Sequence, residues 1–236
     1  MYKTEFDMRY SEAGADGRLK LSAMMDHFQN AAIAHADALG GTIEMFKKLE
    51  AAFLLYSWRV EVSEYPKLPQ KLTVSTWIES IKGMYCKRIL ELKNQDGAVA
   101  ARAESVWVLT GMRRMRPMRM TEDIIEMLGN PIDNFDNSCI PSIQEPNECK
   151  VKELYSVCQN DLDTNSHVNN VRSIDILTKK LRFSPAYLEV VYKKAIPPYA
   201  EPELRIDLSD DTYNAALYDP EGAPCVLLSA RRQQTP

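Results

Sequence analysis

Apolar positions along this chain switch between two periods. Leu21, Met24, Met25, Phe28, Ala31, Ala32, His35 and Leu39 recur at the spacing of one helix face. Ser22 as N-cap and Gly40-Gly41 as a stop bound that helix. Thr42 to Glu50 predicts a second, short helix. The period then drops to two. Trp58, Val60 and Val62 alternate with Arg59, Glu61 and Ser63, and Leu72, Val74, Thr76 and Ile78 with Lys71, Thr73, Ser75 and Trp77. These runs predict strands, as do Tyr85 to Lys93 and Ala98 to Thr110, which the turn Asn94-Gln95-Asp96-Gly97 joins as a hairpin. Tyr2 to Tyr10 reads as a first strand, and Ala13 to Gly17 as a turn.

The second half repeats the plan. Val151 to Cys158 predicts a strand. Val168, Val171, Ile174, Leu177 and Leu181 predict a helix through about Leu181. Strands follow at Leu188 to Ala195, Glu203 to Ser209, Thr212 to Tyr218 and Ala223 to Arg231, with Asp219-Pro220-Glu221-Gly222 as the last hairpin turn. Between the halves, a short helix from Glu122 to Leu128 leads into a stretch rich in Asn and Pro that reads as an unstructured linker. The expected organisation is residues 1–130, a linker over 131–149, and residues 150–236. Strand, helix, then several strands, twice over, is a divergent internal repeat. It sets Asp16-Gly17-Arg18-Leu19-Lys20-Leu21 beside Asp163-Thr164-Asn165-Ser166-His167-Val168, so that the first copy keeps an Asp and lacks the Asn and His. Spacing alone gives an α+β fold with a duplicated unit.

Composition narrows the classes. Hydrophobic residues are 45% and charged residues 26% of the 236 positions, which is ordinary for a globular chain. The net charge of -4 offers no whole-chain argument for nucleic acid. Five Cys without a C-x-x-C and three His argue against a zinc site or a disulfide framework. The first residues, Met1-Tyr2-Lys3-Thr4-Glu5-Phe6-Asp7, lack the apolar core of a signal peptide and the Arg and Ser of a transit peptide. No apolar run approaches a membrane span. A cytoplasmic protein, without membrane contact, is expected.

The candidate chemistry gathers in Asp161-Leu162-Asp163-Thr164-Asn165-Ser166-His167-Val168-Asn169-Asn170, two Asp, three Asn and one His ahead of an apolar helical pattern. One reading is an Asx-rich turn capping a helix. The other is a reactive site, with His167 at a helix N-terminus where backbone N–H groups favour developing negative charge. His27 and His35 have no such company and read as packed or solvated. Cys158 reads as a buried strand thiol. The Met-rich face of the first helix reads as core, or as the wall of a pocket for a flexible alkyl chain. Arg113-Arg114-Met115-Arg116-Pro117-Met118-Arg119 is the one local basic cluster, either a solvated loop or a dock for an acidic partner.

Asp163-x-Asn165-x-His167-Val168-Asn169-Asn170 resembles the active-site motif of the acyl-acyl carrier protein thioesterases, the Fat-type enzymes of plant plastids and their bacterial relatives. Trp58-Arg59-Val60-Glu61-Val62 with Tyr65-Pro66, Val74-Ser75-Thr76-Trp77 and Ser105-Val106-Trp107-Val108-Leu109 extend the similarity from about Tyr2 to Arg231. The lack of a transit peptide points to a bacterial relative. The resemblance implies a double hot-dog fold, each unit a long helix wrapped by an antiparallel sheet. It implies hydrolysis of fatty acyl-acyl carrier protein to free fatty acid, without metal or cofactor. The N-terminal unit would hold the acyl chain, with Met25 and Phe28 as contacts, and the C-terminal unit would cut. Asp163, Asn165 and His167 would be catalytic, with Asp163 or His167 as base. Val168, Asn169 and Asn170 would face the substrate, their backbone N–H groups polarising the carbonyl, and Arg113 and Arg114 would meet the acidic acyl carrier protein. Tyr192-Lys193-Lys194 is followed by Ala195-Ile196 where the plant enzymes carry a Glu-Cys pair, which removes that acid and that thiol. An acyl-CoA thioesterase and a non-catalytic acyl-chain binder are the competing readings, and a monomer and a homodimer both stay open.

Overall fold

The first strand, β1 (Tyr2–Asp7), is followed by a 3-10 turn at Tyr10–Glu12 and then by the helix α1 (Leu21–Ala38). The structure, a computed structural model, describes residues 1–132, 134–147, 149–209 and 211–232. α1 forms because its apolar residues fall on one stripe. Met24, Met25 and Phe28 are fully buried, Ala31 and Ala32 nearly so. Burial of each large side chain stabilises by about 1.5–3 kcal/mol. The helix starts earlier than a Ser22 cap would have it: Met24 N–H already donates to Lys20 O, and Lys20 flanks the helix without a side-chain cap. Lys20 and Leu19 are themselves pinned, their N–H groups donating to Glu12 O and Pro66 O at 2.8 Å. The short helix α2 (Ile43–Lys48) is capped by Thr42, whose Oγ1 accepts from Met45 N–H.

The strands β2 (Ala51–Val62), β3 (Lys71–Lys82), β4 (Tyr85–Lys93) and β5 (Val99–Gly111) follow, with β6 (Arg116–Pro117) paired to β5 and α3 (Glu122–Met127) beyond. In the second half come β7 (Val151–Leu154), a 3-10 turn at Gln159–Asp161, α4 (Asn170–Thr178), β8 (Tyr187–Tyr192), β9 (Glu203–Leu208), β10 (Thr212–Tyr218) and β11 (Pro224–Arg231). The fold is α+β, few helices on antiparallel sheet.

The chain divides into two compact units, one from Met1–Tyr56 and Val62–Ile140, the other from Ser57–Glu61 and the chain from Pro141 onward. In the first unit the strand order is β1-β3-β4-β5-β2, and α1 packs on β3, β1 and β4. In the second, residues 57–61 of β2 pair with β8, and the order continues β11-β10-β9-β7. There α4 packs on β10 and β11. α4 has nine residues, half the length of the 18-residue α1, and stops at Thr178 rather than near Leu181. Lys179 and Lys180 follow, and Leu181 N–H turns back to Thr178 O.

The segment expected to be an unstructured linker is packed. Asp136 caps a 3-10 turn at Asn137–Cys139, and Phe135 and Cys139 pack on Val106 with Tyr56 and Tyr85 in the first unit. Ile143 packs on Ala216, Tyr218 and Leu227 in the second, where Glu145 Oε2 accepts from the Tyr218 hydroxyl at 2.8 Å. Its few apolar residues, too sparse to show a period, are what anchor it. Asp133 and Glu148 of this segment, and the polar tail beyond Arg232, lie outside the described residues. Among the described residues no helix is long and apolar enough to cross a membrane.

Candidate active site

In the second unit the Asp163 loop is closed by its own backbone. Asp163 N–H donates to His167 O at 2.8 Å and Ser166 N–H to Asp163 O at 3.1 Å. Asp163 Oδ1 accepts from the N–H groups of Asn165 (2.8 Å) and His167 (3.3 Å), an Asx turn. Ser166 takes the left-handed conformation, φ +59°, that lets the loop reverse. Thr164, Asn165 and Ser166 are exposed, and Asp163 and His167 half-buried. Among the described residues, no hydrogen bond holds the His167 ring. The helix behind it is capped not by Asp163 but by Asn169, whose Oδ1 accepts from Val171 N–H at 2.8 Å.

Two expected donors are already engaged. Val168 N–H donates to Ile196 O at 2.9 Å and Asn169 N–H to Asp161 O at 2.8 Å. Neither can also polarise a substrate carbonyl, so the expectation of backbone donors at Val168 and Asn169 is corrected. Ile196 is buried and serves the loop through its carbonyl. Tyr192 O–H reaches Asn170 O at 2.9 Å, and burial raises its phenol pKa well above the usual value.

Sequence reasoning placed Asp161 at the head of the motif without a role of its own and passed over Tyr155. Asp161 is 7% exposed, and its Oδ2 accepts from Tyr155 O–H at 3.0 Å and Cys158 N–H at 2.9 Å. Burial, together with the adjacent Asp161 carboxylate, pushes the Tyr155 phenol up to about 12. A buried carboxylate needs such donors. The signal was available in an Asp at the head of the motif with a Tyr six residues before it. Cys158 is not a buried strand thiol: β7 ends at Leu154, and Cys158 is exposed at the 3-10 turn. Glu189 and Glu201, the carboxylates on either side of Ala195-Ile196 in sequence, have partners of their own. Glu189 Oε1 accepts from Arg59 and Tyr187, and Glu201 Oε1 from Ser156.

The same loop recurs in the first unit in its main-chain bonds. Gly14 N–H donates to Arg18 O, Gly17 N–H to Gly14 O, Leu19 N–H to Pro66 O and Lys20 N–H to Glu12 O. Gly17 takes φ +74° where Ser166 takes +59°. These partners set Gly14 beside Asp163, Asp16 beside Asn165 and Arg18 beside His167, two residues away from the register read from sequence. The first copy therefore lacks all three polar groups at their own places. At the place of Asp161 it has Glu12, half-buried and bonded by His27 Nε2 at 3.1 Å, with Phe6 stacked on the His27 ring. Desolvation lowers the His27 pKa against the pull of Glu12.

The remaining candidates lie in the first unit. Met25 and Phe28 are fully buried on α1. Arg113 and Arg114 sit in the exposed turn between β5 and β6, where Arg113 Nε pairs with Glu50 Oε2 at 2.7 Å. All five cysteines are free thiols, and no cluster of His, Cys, Asp or Glu among the described residues could hold a metal ion.

Residues 1–128 match the family model described as the acyl-ACP thioesterase N-terminal domain. The chain belongs to the acyl-ACP thioesterase family. It is 27% identical over 188 residues to the chloroplastic palmitoyl-acyl carrier protein thioesterase of Cuphea hookeriana, covering 74% of this chain and 45% of that protein. It is 26% identical over 188 residues to the chloroplastic dodecanoyl-[acyl-carrier-protein] hydrolase of Umbellularia californica, covering 74% and 49%. The chain thus spans about half the length of the curated relatives it matches. Among solved structures, the 12:0-ACP thioesterase from Umbellularia californica superposes with a TM-score of 0.87 at 20% identity, over 98% of this chain and 96% of that one. An acyl-ACP thioesterase from Bacteroides thetaiotaomicron gives 0.83 at 19% identity, over 97% and 96%. These superpositions establish a shared fold.

Proposed function

We propose that this chain hydrolyses the thioester between a fatty acyl chain and acyl carrier protein, releasing free fatty acid and ending elongation. The observation that carries this reading is the Asp163 loop: a member of the acyl-ACP thioesterase family presents an Asp, an Asn and a His on one turn, with the His167 main chain tied at both its N–H and its carbonyl. The finer architecture is a double hot-dog. The N-terminal unit (1–130 by the sequence division) binds the acyl chain along Met25 and Phe28, residues 131–149 connect, and residues 150–236 perform the cut. Arg113 and Arg114 attract the acidic carrier. The reading places the enzyme beside a cytoplasmic pool of acyl carrier protein.

His167 is the base that takes a proton from the attacking water. Asp163 is a positioning residue, its Oδ1 spent on the N–H groups of Asn165 and His167. Asn165, exposed at the loop tip, offers its amide N–H groups to the substrate oxygen as negative charge develops. Water adds to the thioester carbon, the tetrahedral intermediate collapses, and the phosphopantetheine thiolate leaves and takes up the proton. Val168, Asn169 and Asn170 hold the loop against the helix start.

The test follows fatty acid release from a series of acyl-acyl carrier proteins, with acyl-CoA as competitor. His167→Ala should lose at least about a hundredfold in kcat. Asp163→Asn keeps an oxygen for both N–H groups and should keep most activity, whereas Asp163→Ala should lose it. Equal loss in both Asp163 variants would make Asp163 the base instead. Wild-type protein that binds acyl chains and releases none would overturn hydrolysis and favour a binder, the reading that Ala195-Ile196 supports.

A further inference from the structure

The buried stripe of α1 changes character along its length. From Met24 to Ala32 it is apolar except for Gln29, 8% exposed, and one turn later it ends in His35, only 7% exposed. His35 has the Tyr2 ring stacked on it at 5.7 Å and polar partners besides. Its Nδ1 accepts from Arg88 Nη1 on β4 at 2.6 Å, and the same Nη1 donates to Thr76 Oγ1 on β3 at 3.2 Å. Thr76 passes its own hydroxyl proton to Ile89 O at 2.9 Å. Arg88 is 4% exposed, and among the described residues no carboxylate pairs with it. A guanidinium buried without a counter-ion is an expensive group to retain. The neutral imidazole and one hydroxyl are its compensation.

What lies on either side of the cation points to its use. Arg88 shares a sheet face with Leu90 and Leu92 in one direction and with Cys86 in the other, since alternate residues of a strand point the same way. Leu90 and Leu92 are fully buried. Cys86 belongs to a separate apolar cluster with Ile81, Leu109, Met120 and Ile124, against which Phe46 and Trp107 pack. Arg88 and His35 thus separate the apolar stripe of α1 from this methionine- and aromatic-rich cluster. Along the helix the stripe runs about 15 Å before meeting them, at about 1.5 Å per residue.

We propose that the Arg88–His35 pair is a polar stop that sets how long an acyl chain this protein accepts, by barring the methyl end from the cluster around Cys86 and Met120. The inference rests on the acyl chain lying along α1, as assigned above. An apolar chain end can pass the stop only by stripping the guanidinium of its two partners or desolvating it further, and it brings no acceptor in exchange. Arg88 acts here on specificity and takes no part in the chemistry.

The test replaces both members, Arg88→Met with His35→Leu, because removing one partner alone would leave a buried polar group unpaired. With the full chain, kcat/KM is measured for saturated acyl-acyl carrier proteins from octanoyl to stearoyl. The double variant should raise the ratio for longer over preferred chains by about tenfold or more, while Arg88→Lys, which keeps a cation, should keep the wild-type profile. A merely structural pair would lower activity on all lengths alike, and an unchanged profile in a folded, active double variant overturns the stop. If the double variant does not fold, Arg88→Gln is read by the same criterion. If wild type releases no fatty acid, the hydrolase reading fails, and the stop is judged by equilibrium binding of the same free fatty acids. Tighter binding of the longer ones by the double variant supports it, and no gain overturns it.

Discussion

Acidification is the sharpest perturbation of the first unit. Burial and the Arg88 charge lower the pKa of His35 from 6.5 to about 4 in the folded protein. The groups facing it are the Arg88 guanidinium, the Thr76 hydroxyl through that guanidinium, and the Tyr2 ring stacked at 5.7 Å. The N-terminal ammonium adds to the Arg88 charge in opposing a second positive charge, and among the described residues no carboxylate offsets them. The sign follows from proton uptake. Above pH 6.5 both folded and unfolded chains hold a neutral imidazole, and the group is silent. As pH falls below 6.5 the unfolded chain binds a proton that the folded chain refuses, so stability falls, and the fall ends near pH 4 where the folded side chain also protonates. At about 1.4 kcal/mol per pH unit the gap corresponds to a loss of about 3 kcal/mol. Carboxylates titrate in the same range, so the measurement is a difference: urea unfolding of wild type and His35→Gln between pH 7 and pH 4. Gln can still accept from Arg88 and does not titrate. Wild type should lose about 3 kcal/mol more than the variant. With three His in the chain, the imidazole C–H proton resonances are separable by NMR. A His35 that titrates near 6.5, or two unfolding profiles that fall in parallel, would refute the argument that the Arg88 contact holds His35 neutral.

Two further outcomes are expected. Tyr155→Phe removes a hydroxyl donor from the buried Asp161 carboxylate, which should cost about 1.5–3 kcal/mol in thermal or chemical unfolding; a change below about half a kcal/mol would show that the pair does not brace the loop. Charge reversal at Arg113 and Arg114 should slow capture of acyl-acyl carrier protein several-fold at low salt, with the difference fading at high salt. Identical salt dependence in wild type and variant would remove the turn between β5 and β6 as the carrier's landing point.

Much of the molecule was readable along the chain, and the readable part was local. α1 runs Leu21–Ala38 where the stripe from Leu21 to Leu39 put it, because a helix face is written every three to four residues. Thr42 caps α2, and the hairpin turns at Asp96-Gly97 and Glu221-Gly222 carry positive φ at their glycines. The crowding of Asp, Asn and His before α4 also showed, because an Asx turn and an N-cap are bonds between residues two to four apart. That stretch is a capped turn: Asp163 closes the loop as an Asx turn and Asn169 caps α4.

What failed was everything whose partner lies far along the chain. The repeat was legible as a repeat, but its register was misread, because Asp16 resembles Asp163 in letter while backbone bonds to Pro66 and Ile196 decide which residues correspond. The N–H groups of Val168 and Asn169 looked available at a helix start until tertiary contacts supplied Ile196 O and Asp161 O. The connecting segment looked loose because Phe135 and Ile143 make no period, yet each finds a sheet face to cover. Arg88 read as one more polar residue of a strand, and His35 as one more residue of a helix face. Periodicity and capping depend on neighbours that the chain itself supplies. The choice of which buried donor meets which distant acceptor is made only when the sheets and helices close, since it is the loss of water there that makes every unpaired group costly.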